Sequence, residues 1–150
     1  MDATDRKILA ELQKDGRLSA TELAERIGLS LSPCHRRVRA LEESGVIAGY
    51  RANVQPGAVG LNFSAVVFVT LREANGNSVR AFESALPDIV EIISAQRLFG
   101  DPDYMLHVVT RDLASFLVLY DPPLSTLPSV LRLTSTLVMK NIFQDRPLPL

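Results

Sequence analysis

Apolar residues recur at helical spacing through the first third of the chain, then switch to alternating, β-branched runs. Ser19 and Glu22 have the spacing of a capping box, in which the hydroxyl accepts from the third N–H of a helix and the carboxylate accepts from the cap amide. This predicts a helix from Ala20, with Leu23, Ala24 and Ile27 on one inward stripe and Gly28 ending it in the left-handed conformation. Gly28 to Ser30 is then a turn. A second helix follows, capped by Ser30 or Ser32, with Pro33 in the first turn, where its missing N–H is harmless. Cys34, Val38 and Leu41 fall at i, i+4 and i+7 and define its buried stripe, which turns His35, Arg36 and Arg39 outward. Upstream, Thr4 or Asp5 can cap a helix reaching about Lys14, with Ile8, Leu9 and Leu12 inward and Gly16 as its stop. Val46 to Val54 is too short for a further helix and reads as an extended wing or connector, and Gln55, Pro56 and Gly57 as a linker.

From Phe63 onward the order is strand, helix, strand, strand, helix, strand. The strands are Phe63 to Arg72, Ile89 to Phe99, Tyr104 to Thr110 and Val130 to Phe143, rich in Val and Ile. Ser78 is the expected cap of the first helix, with Val79, Phe82 and Leu86 inward and Pro87 as its stop. The second follows Asp112, with Leu113, Phe116, Leu117 and Tyr120 inward, until Pro122 and Pro123 break it. This order matches a ferredoxin-like βαββαβ arrangement, with two helices on one face of an antiparallel sheet. Val66 to Val69 are apolar on both parities, so the uncovered face is expected to be buried against a second copy. The fold class is therefore α+β: a three-helix, winged helix-turn-helix domain over 1–50, a connector over 51–62 and a ferredoxin-like domain over 63–150.

Composition adds limits. A chain of 150 residues that is 47% hydrophobic can bury a core in each of two small domains. The net charge of −1 conceals a local cluster of Arg36, Arg37 and Arg39, which has no acid nearby in sequence until Glu42. The single Cys34 cannot form an internal disulfide and reads as a small core filler. No cationic leader precedes an apolar run, and charges interrupt every candidate membrane span, so a cytoplasmic location is expected.

Two helices joined by a tight turn, the second presenting donors and cations, suit reading of double-stranded DNA in the major groove. Arg donates twice to guanine O6 and N7; Ser30, Ser32 and His35 suit bases or phosphates; and the helix start at Pro33 favours phosphate. Arg37 lies nearest the buried stripe and is the most structural of the three arginines. A dimer would set two such helices roughly 34 Å apart, so an imperfect palindromic operator is expected.

The order and spacing of several motifs resemble the Lrp/AsnC family of transcriptional regulators. They are Asp5-Arg6-Lys7-Ile8-Leu9, Leu12 to Arg17, Leu29-Ser30 with Pro33-Cys34 and Arg37-Val38-Arg39, Gly45 to Tyr50, Gly100-Asp101-Pro102-Asp103-Tyr104, and Leu127-Pro128 before Val130, Thr134, Thr136 and Val138-Met139. The resemblance implies a regulator whose second domains pair into homodimers and assemble further, often to octamers. It implies a small effector, usually an amino acid, bound between dimers near the Gly100–Tyr104 turn. Asp101 and Asp103 can accept from an α-ammonium group, Gly100 permits close backbone approach, and Tyr104, Thr134 and Thr136 can add polar contacts. The same Gly-Asp-Pro-Asp turn also has backbone reasons to exist. No cofactor or metal is implied.

Four residues depart from the family pattern: Pro122-Pro123 interrupts a helix commonly continued, Ser129 replaces the glycine of an LPG turn, and Leu31 stands at a position often polar or Pro. A nucleoid-like architectural protein without effector is an alternative, with the turn purely structural. A haem-precursor decarboxylase of similar architecture is a weaker one. His107, on a strand between Met105 and Val109, has no catalytic companions in sequence, so the chain is read as a non-enzyme.

Overall fold

The computed structural model describes residues 1–73 and 75–150. It divides into two compact units, residues 1–53 with 142–150, and residues 54–141. Residues 142–150 cluster by contact with the N-terminal helices.

The first unit is three helices. Helix α1 (Ala3–Lys14) is capped by Asp2 rather than by Thr4 or Asp5. Asp2 Oδ1 accepts from the Asp5 N–H and Asp5 Oδ2 accepts from the Asp2 N–H, both at 2.9 Å, a reciprocal box built from two aspartates. The helix ends with Asp15 in extended conformation, one residue before the expected Gly16. Helix α2 (Ala20–Ile27) carries the Ser19–Glu22 box, and Gly28 ends it at φ 73°. Helix α3 (Leu31–Glu43) follows Ser30, which occupies the cap position but makes no side-chain cap bond; Ser32 lies inside the helix. Ile8, Leu23, Ala24, Cys34 and Leu41 close the core, with Val38 packed at its edge. Burial pushes the Cys34 thiol upward, away from thiolate chemistry.

The region from Ala48 to Gln55 forms no strand, so the wing expected there is an irregular connector, and Pro56–Val59 is a 3-10 turn rather than open linker. Residues 142–150 return to α1: the Leu148 N–H donates to Gln13 Oε1 at 2.7 Å, and Gln13 Nε2 donates to the Leu148 carbonyl at 3.4 Å.

The second unit is a four-stranded antiparallel sheet in the order β2-β3-β1-β4. Its strands are β1 (Phe63–Leu71), β2 (Ile92–Arg97), β3 (Tyr104–Thr110) and β4 (Val130–Leu137). Helix α4 (Gly76–Ala85) is capped by Asn75, whose Oδ1 accepts from Asn77 and Ser78 N–H, so Ser78 is not the cap. Helix α5 (Leu113–Leu119) is capped by Asp112. Phe63, Ala65, Val67, Val69 and Leu71 on β1 alternate into a core shared with Phe82, Leu106, Val108, Phe116 and Leu119. Phe82 stacks at 4.6 Å on Tyr104, and Phe63 at 5.1 Å on Phe116.

Two expectations change here, the inward residues of α5 and the ends of two strands. Leu113 and Leu117 point away from the core, 52% and 58% exposed, because Phe116 and Leu119 occupy the buried stripe of this short helix. Strand β2 begins at Ile92 and β4 stops at Leu137, not at Phe143. At Pro122-Pro123 the helix gives way to a single wider turn, Tyr120–Leu124, with extended backbone at Asp121 that lets Leu124 drop into the core.

Candidate functional site

In the first unit, α3 presents Ser32, His35, Arg36 and Arg39 on its exposed side while Cys34 and Leu41 anchor the opposite stripe. A cleft of about 540 Å³ runs between the starts of α2 and α3, lined by Ala20, Thr21, Leu31, Ser32 and His35. Because no side chain caps α3, its first-turn N–H groups stay open toward solvent beside Ser30 and Pro33, an arrangement that favours an anionic phosphate.

The arginines divide by partner. Arg37 Nη1 lies 2.8 Å from both Asp2 Oδ2 and Asp5 Oδ1. The cluster therefore does have acids beside it, brought from α1 across more than thirty residues of sequence. The Asp5 and Asp2 carboxylates raise the Arg37 guanidinium further, while the Asp5 N–H and Arg37 together hold the Asp2 carboxyl below the usual range. Arg39 Nε makes an exposed pair with Glu43 at 2.8 Å, which is easily given up. Arg36 makes no hydrogen bond or ion pair among the described residues. Behind the helix, the Tyr50 hydroxyl donates to Glu42 at 3.0 Å, and its ring lies against Gly16.

In the second unit the Gly100–Tyr104 turn joins β2 to β3, with Gly100 at φ 134°. Its two carboxylates have different duties. Asp103 Oδ2 accepts from the Leu71 N–H at 2.7 Å, and its own N–H donates to the Val69 carbonyl at 2.9 Å, so Asp103 clamps the turn to β1. Asp101 points to solvent and accepts from Thr70 Oγ1 at 3.1 Å. Tyr104 is buried on the helix-covered face, where its hydroxyl donates to Glu83 on α4 at 2.8 Å. Burial and that carboxylate push the phenol up to about 12.

Strand register places Thr134 opposite Phe68 and Thr136 opposite Val66, on the uncovered face. The structure thus brings Asp101 to the end of the row that holds Thr134 and Thr136, and puts Tyr104 on the other side of the sheet. Arg132 lies opposite Thr70 in the same row, two residues before Thr134, with Nη2 3.4 Å from Asp101 Oδ1. On the same face His107 Nε2 lies 2.7 Å from Ser64 Oγ. No described helix is long and apolar enough to cross a membrane.

Comparison with known proteins agrees with both units. Residues 1–48 match the family described as winged helix-turn-helix DNA-binding, and residues 64–148 the Lrp/AsnC ligand binding domain. The Bkd operon transcriptional regulator of Pseudomonas aeruginosa is 37% identical over 150 residues, covering 100% of this chain and 98% of that protein. The leucine-responsive regulatory protein of Rhizobium meliloti is 44% identical over 116 residues, covering 77% of this chain and 74% of its own length. A crystal structure of a Neisseria meningitidis transcriptional regulator in complex with L-methionine superposes with a TM-score of 0.94 at 35% identity, covering 99% of this chain and 96% of that one. A DNA-reading helix pair followed by a βαββαβ ligand-binding unit, matched along the whole length, places this chain in the Lrp/AsnC family of transcriptional regulators.

Proposed function

We propose that the protein is a sequence-specific, amino-acid-responsive transcription regulator and not an enzyme, working as a homodimer that assembles further, to an octamer for example, in the cytoplasm. The observation that carries this reading is the division of labour on α3. Arg37 is spent on holding the helix to α1, which leaves Ser32, His35, Arg36 and Arg39 facing outward beside an uncapped helix start. Base contacts are assigned to Arg36 and Arg39, and phosphate contacts to Ser30, Ser32, Pro33 and His35.

The functional division is a DNA-reading region over 1–50, a connector over 51–62 and an effector and assembly region over 63–150. The uncovered sheet face carries Val66, Phe68 and Met105, with Phe68 opposite Met105, an apolar area suited to a second copy of the same face. A dimer presents two α3 helices, and the operator is expected to be an imperfect palindrome. The amino-acid effector binds between dimers near Gly100, Asp101, Thr134 and Thr136, with Asp103 and Tyr104 supporting the turn from beneath. The relative solved with L-methionine supports an amino acid as the ligand class. Effector binding shifts assembly or DNA affinity only by the difference in its affinity for the two states.

The test is salt-dependent binding to DNA from immediately upstream of the protein's own gene, with and without a pool of the twenty amino acids. Specific binding that the pool shifts supports the reading. Specific binding with no shift leaves an architectural protein, and no specific binding removes the DNA role.

A further inference from the structure

We propose that Leu31 is a base-reading residue, its isobutyl group meeting the C5-methyl of a thymine in the major groove. The proposal rests on α3 being the recognition helix and is independent of the effector reading. It adds a readout chemistry that the arginines and hydroxyls of α3 do not have.

Leu31 is the first residue of α3 and is 50% exposed. It continues the apolar stripe of Cys34, Val38 and Leu41 by one turn, yet the helical core closes without it: Cys34 and Leu41 are buried there and Val38 packs at the edge. Side chains on a helix lean toward its N-terminus, so a leucine at the first position projects past the helix start instead of back over the core. It enters the cleft between the starts of α2 and α3, whose described lining is Ala20, Thr21, Leu31, Ser32 and His35, with no Lys, Arg, Asp or Glu among them. The leading end of the recognition helix is thus apolar, and the cations Arg36 and Arg39 stand more than one turn further along it.

A helix that reads DNA sets the residues of its first turn against the base edges. The groups that the base pairs show in the major groove are hydrogen-bond donors and acceptors, with the thymine methyl as the apolar exception, so an aliphatic side chain has one matching partner there. A phosphate is a poor alternative, because it calls for a donor and the leucine side chain has none. Contact between the isobutyl group and the methyl removes water from both, and this separates thymine from cytosine and from a thymine stripped of its methyl. Leucine at this position departs from the family pattern, which is often polar or Pro, so the thymine contact belongs to this chain and is not carried over from relatives.

The experiment is a methyl scan of the bound DNA. The site upstream of the protein's own gene is located by footprinting with the full chain, and each thymine in it is replaced in turn by deoxyuridine, which keeps the base pairing and lacks the methyl. For the wild type at least one replacement is expected to weaken binding about three- to tenfold, the scale of one buried methyl contact. Leu31→Ala should bind the thymine-bearing site more weakly and lose the difference between thymine and deoxyuridine at that position, with the other positions unchanged. Leu31→Met, which keeps an apolar end, should retain part of the difference. Arg36→Ala is the contrast: it should weaken both DNAs and keep their ratio. Circular dichroism and melting temperature monitor folding of each variant. If no replacement weakens wild-type binding, or if Leu31→Ala keeps the wild-type ratio, the thymine contact is wrong while the DNA reading stands. If the wild type binds the upstream DNA without specificity, the DNA reading falls and this proposal with it.

Discussion

The guanidinium of Arg37 donates to the carboxylate of Asp5 at 2.8 Å, tying the recognition helix to the helix that opens the chain. The same nitrogen reaches Asp2, whose carboxylate caps α1, so one side chain joins a helix start to a helix flank. Arg37→Ala should therefore lower the melting temperature, whereas Arg36→Ala should leave it unchanged. DNA affinity should respond the other way: Arg36→Ala is expected to cost about 1–3 kcal/mol of specific binding if it pairs with a base. Thermal melts and binding isotherms on both variants check the assignment; a loss of stability in Arg36→Ala would reverse it.

The two carboxylates of the Gly100–Tyr104 turn should separate in the same manner. Asp103→Ala removes the acceptor of the partly buried Leu71 N–H and is expected to destabilise the sheet unit by about 1–3 kcal/mol. Asp101→Ala should leave stability near wild type and abolish the amino-acid response. Denaturant titration alongside effector titration reads both.

Ser129 occupies the left-handed region at φ 61°, where the family pattern has glycine. Its carbonyl also accepts from the Arg72 N–H at 2.8 Å, so the conformation is fixed by the ladder edge. Ser129→Gly should relieve roughly 1–2 kcal/mol of backbone strain and return about half of that through added freedom of the unfolded chain. A net gain of several tenths of a kcal/mol is expected in denaturant unfolding; a net loss would show that the serine side chain is needed there.

At the alkaline end Tyr104 sets a limit. Its phenol is raised from 10 to about 12 in the folded protein by burial and by Glu83. A raised group stabilises fully below its unfolded value, and this contribution disappears as pH climbs from 10 toward 12. Wild-type stability should decline over that window, and Tyr104→Phe should flatten the decline while lowering stability at neutral pH. Tyrosinate absorbance during alkaline titration checks the phenol directly.

At the acid end the sign is opposite. Asp2 is held down by the Asp5 N–H and by Arg37, Glu11 by Lys14 and Arg26, and Glu22 by the Ser19 hydroxyl and amide. Depressed carboxylates stabilise above their unfolded values, 4.5 for Glu and 3.8 for Asp, and this stabilisation is lost as pH falls through the lower folded ones. Melting of the helical unit should weaken below pH 4.5, and Glu22→Gln should make that dependence shallower.

What could be read from sequence followed from how local the interaction was. The Ser19–Glu22 box and the Gly28 stop involve neighbours within one turn, and both occur where the spacing placed them. Asp2 was passed over because it lies ahead of the apolar repeat that marked the helix. Within α5, Leu113 and Leu117 share the four-residue spacing that Phe116 and Tyr120 also show, so periodicity could not choose the stripe; the structure buries Phe116 and Leu119. The pairing of Arg37 with Asp5 and the opposite faces of Tyr104 and Thr134 depend on helix docking and strand register. Those are long-range relations, and no local pattern encodes them.

The clasp between Gln13 and Leu148 has a consequence for how the molecule is made. The two residues are separated by 135 positions, yet they belong to the same compact unit. During vectorial synthesis all three helices have left the ribosome long before Leu148 exists, so the amide of Gln13 stays hydrated until the sheet unit has been made. The helices can gather early on contacts of short sequence separation, while this last stitch waits for the sheet unit to be produced in between. The three-helix unit is thus begun before the sheet unit is synthesised and completed only after it.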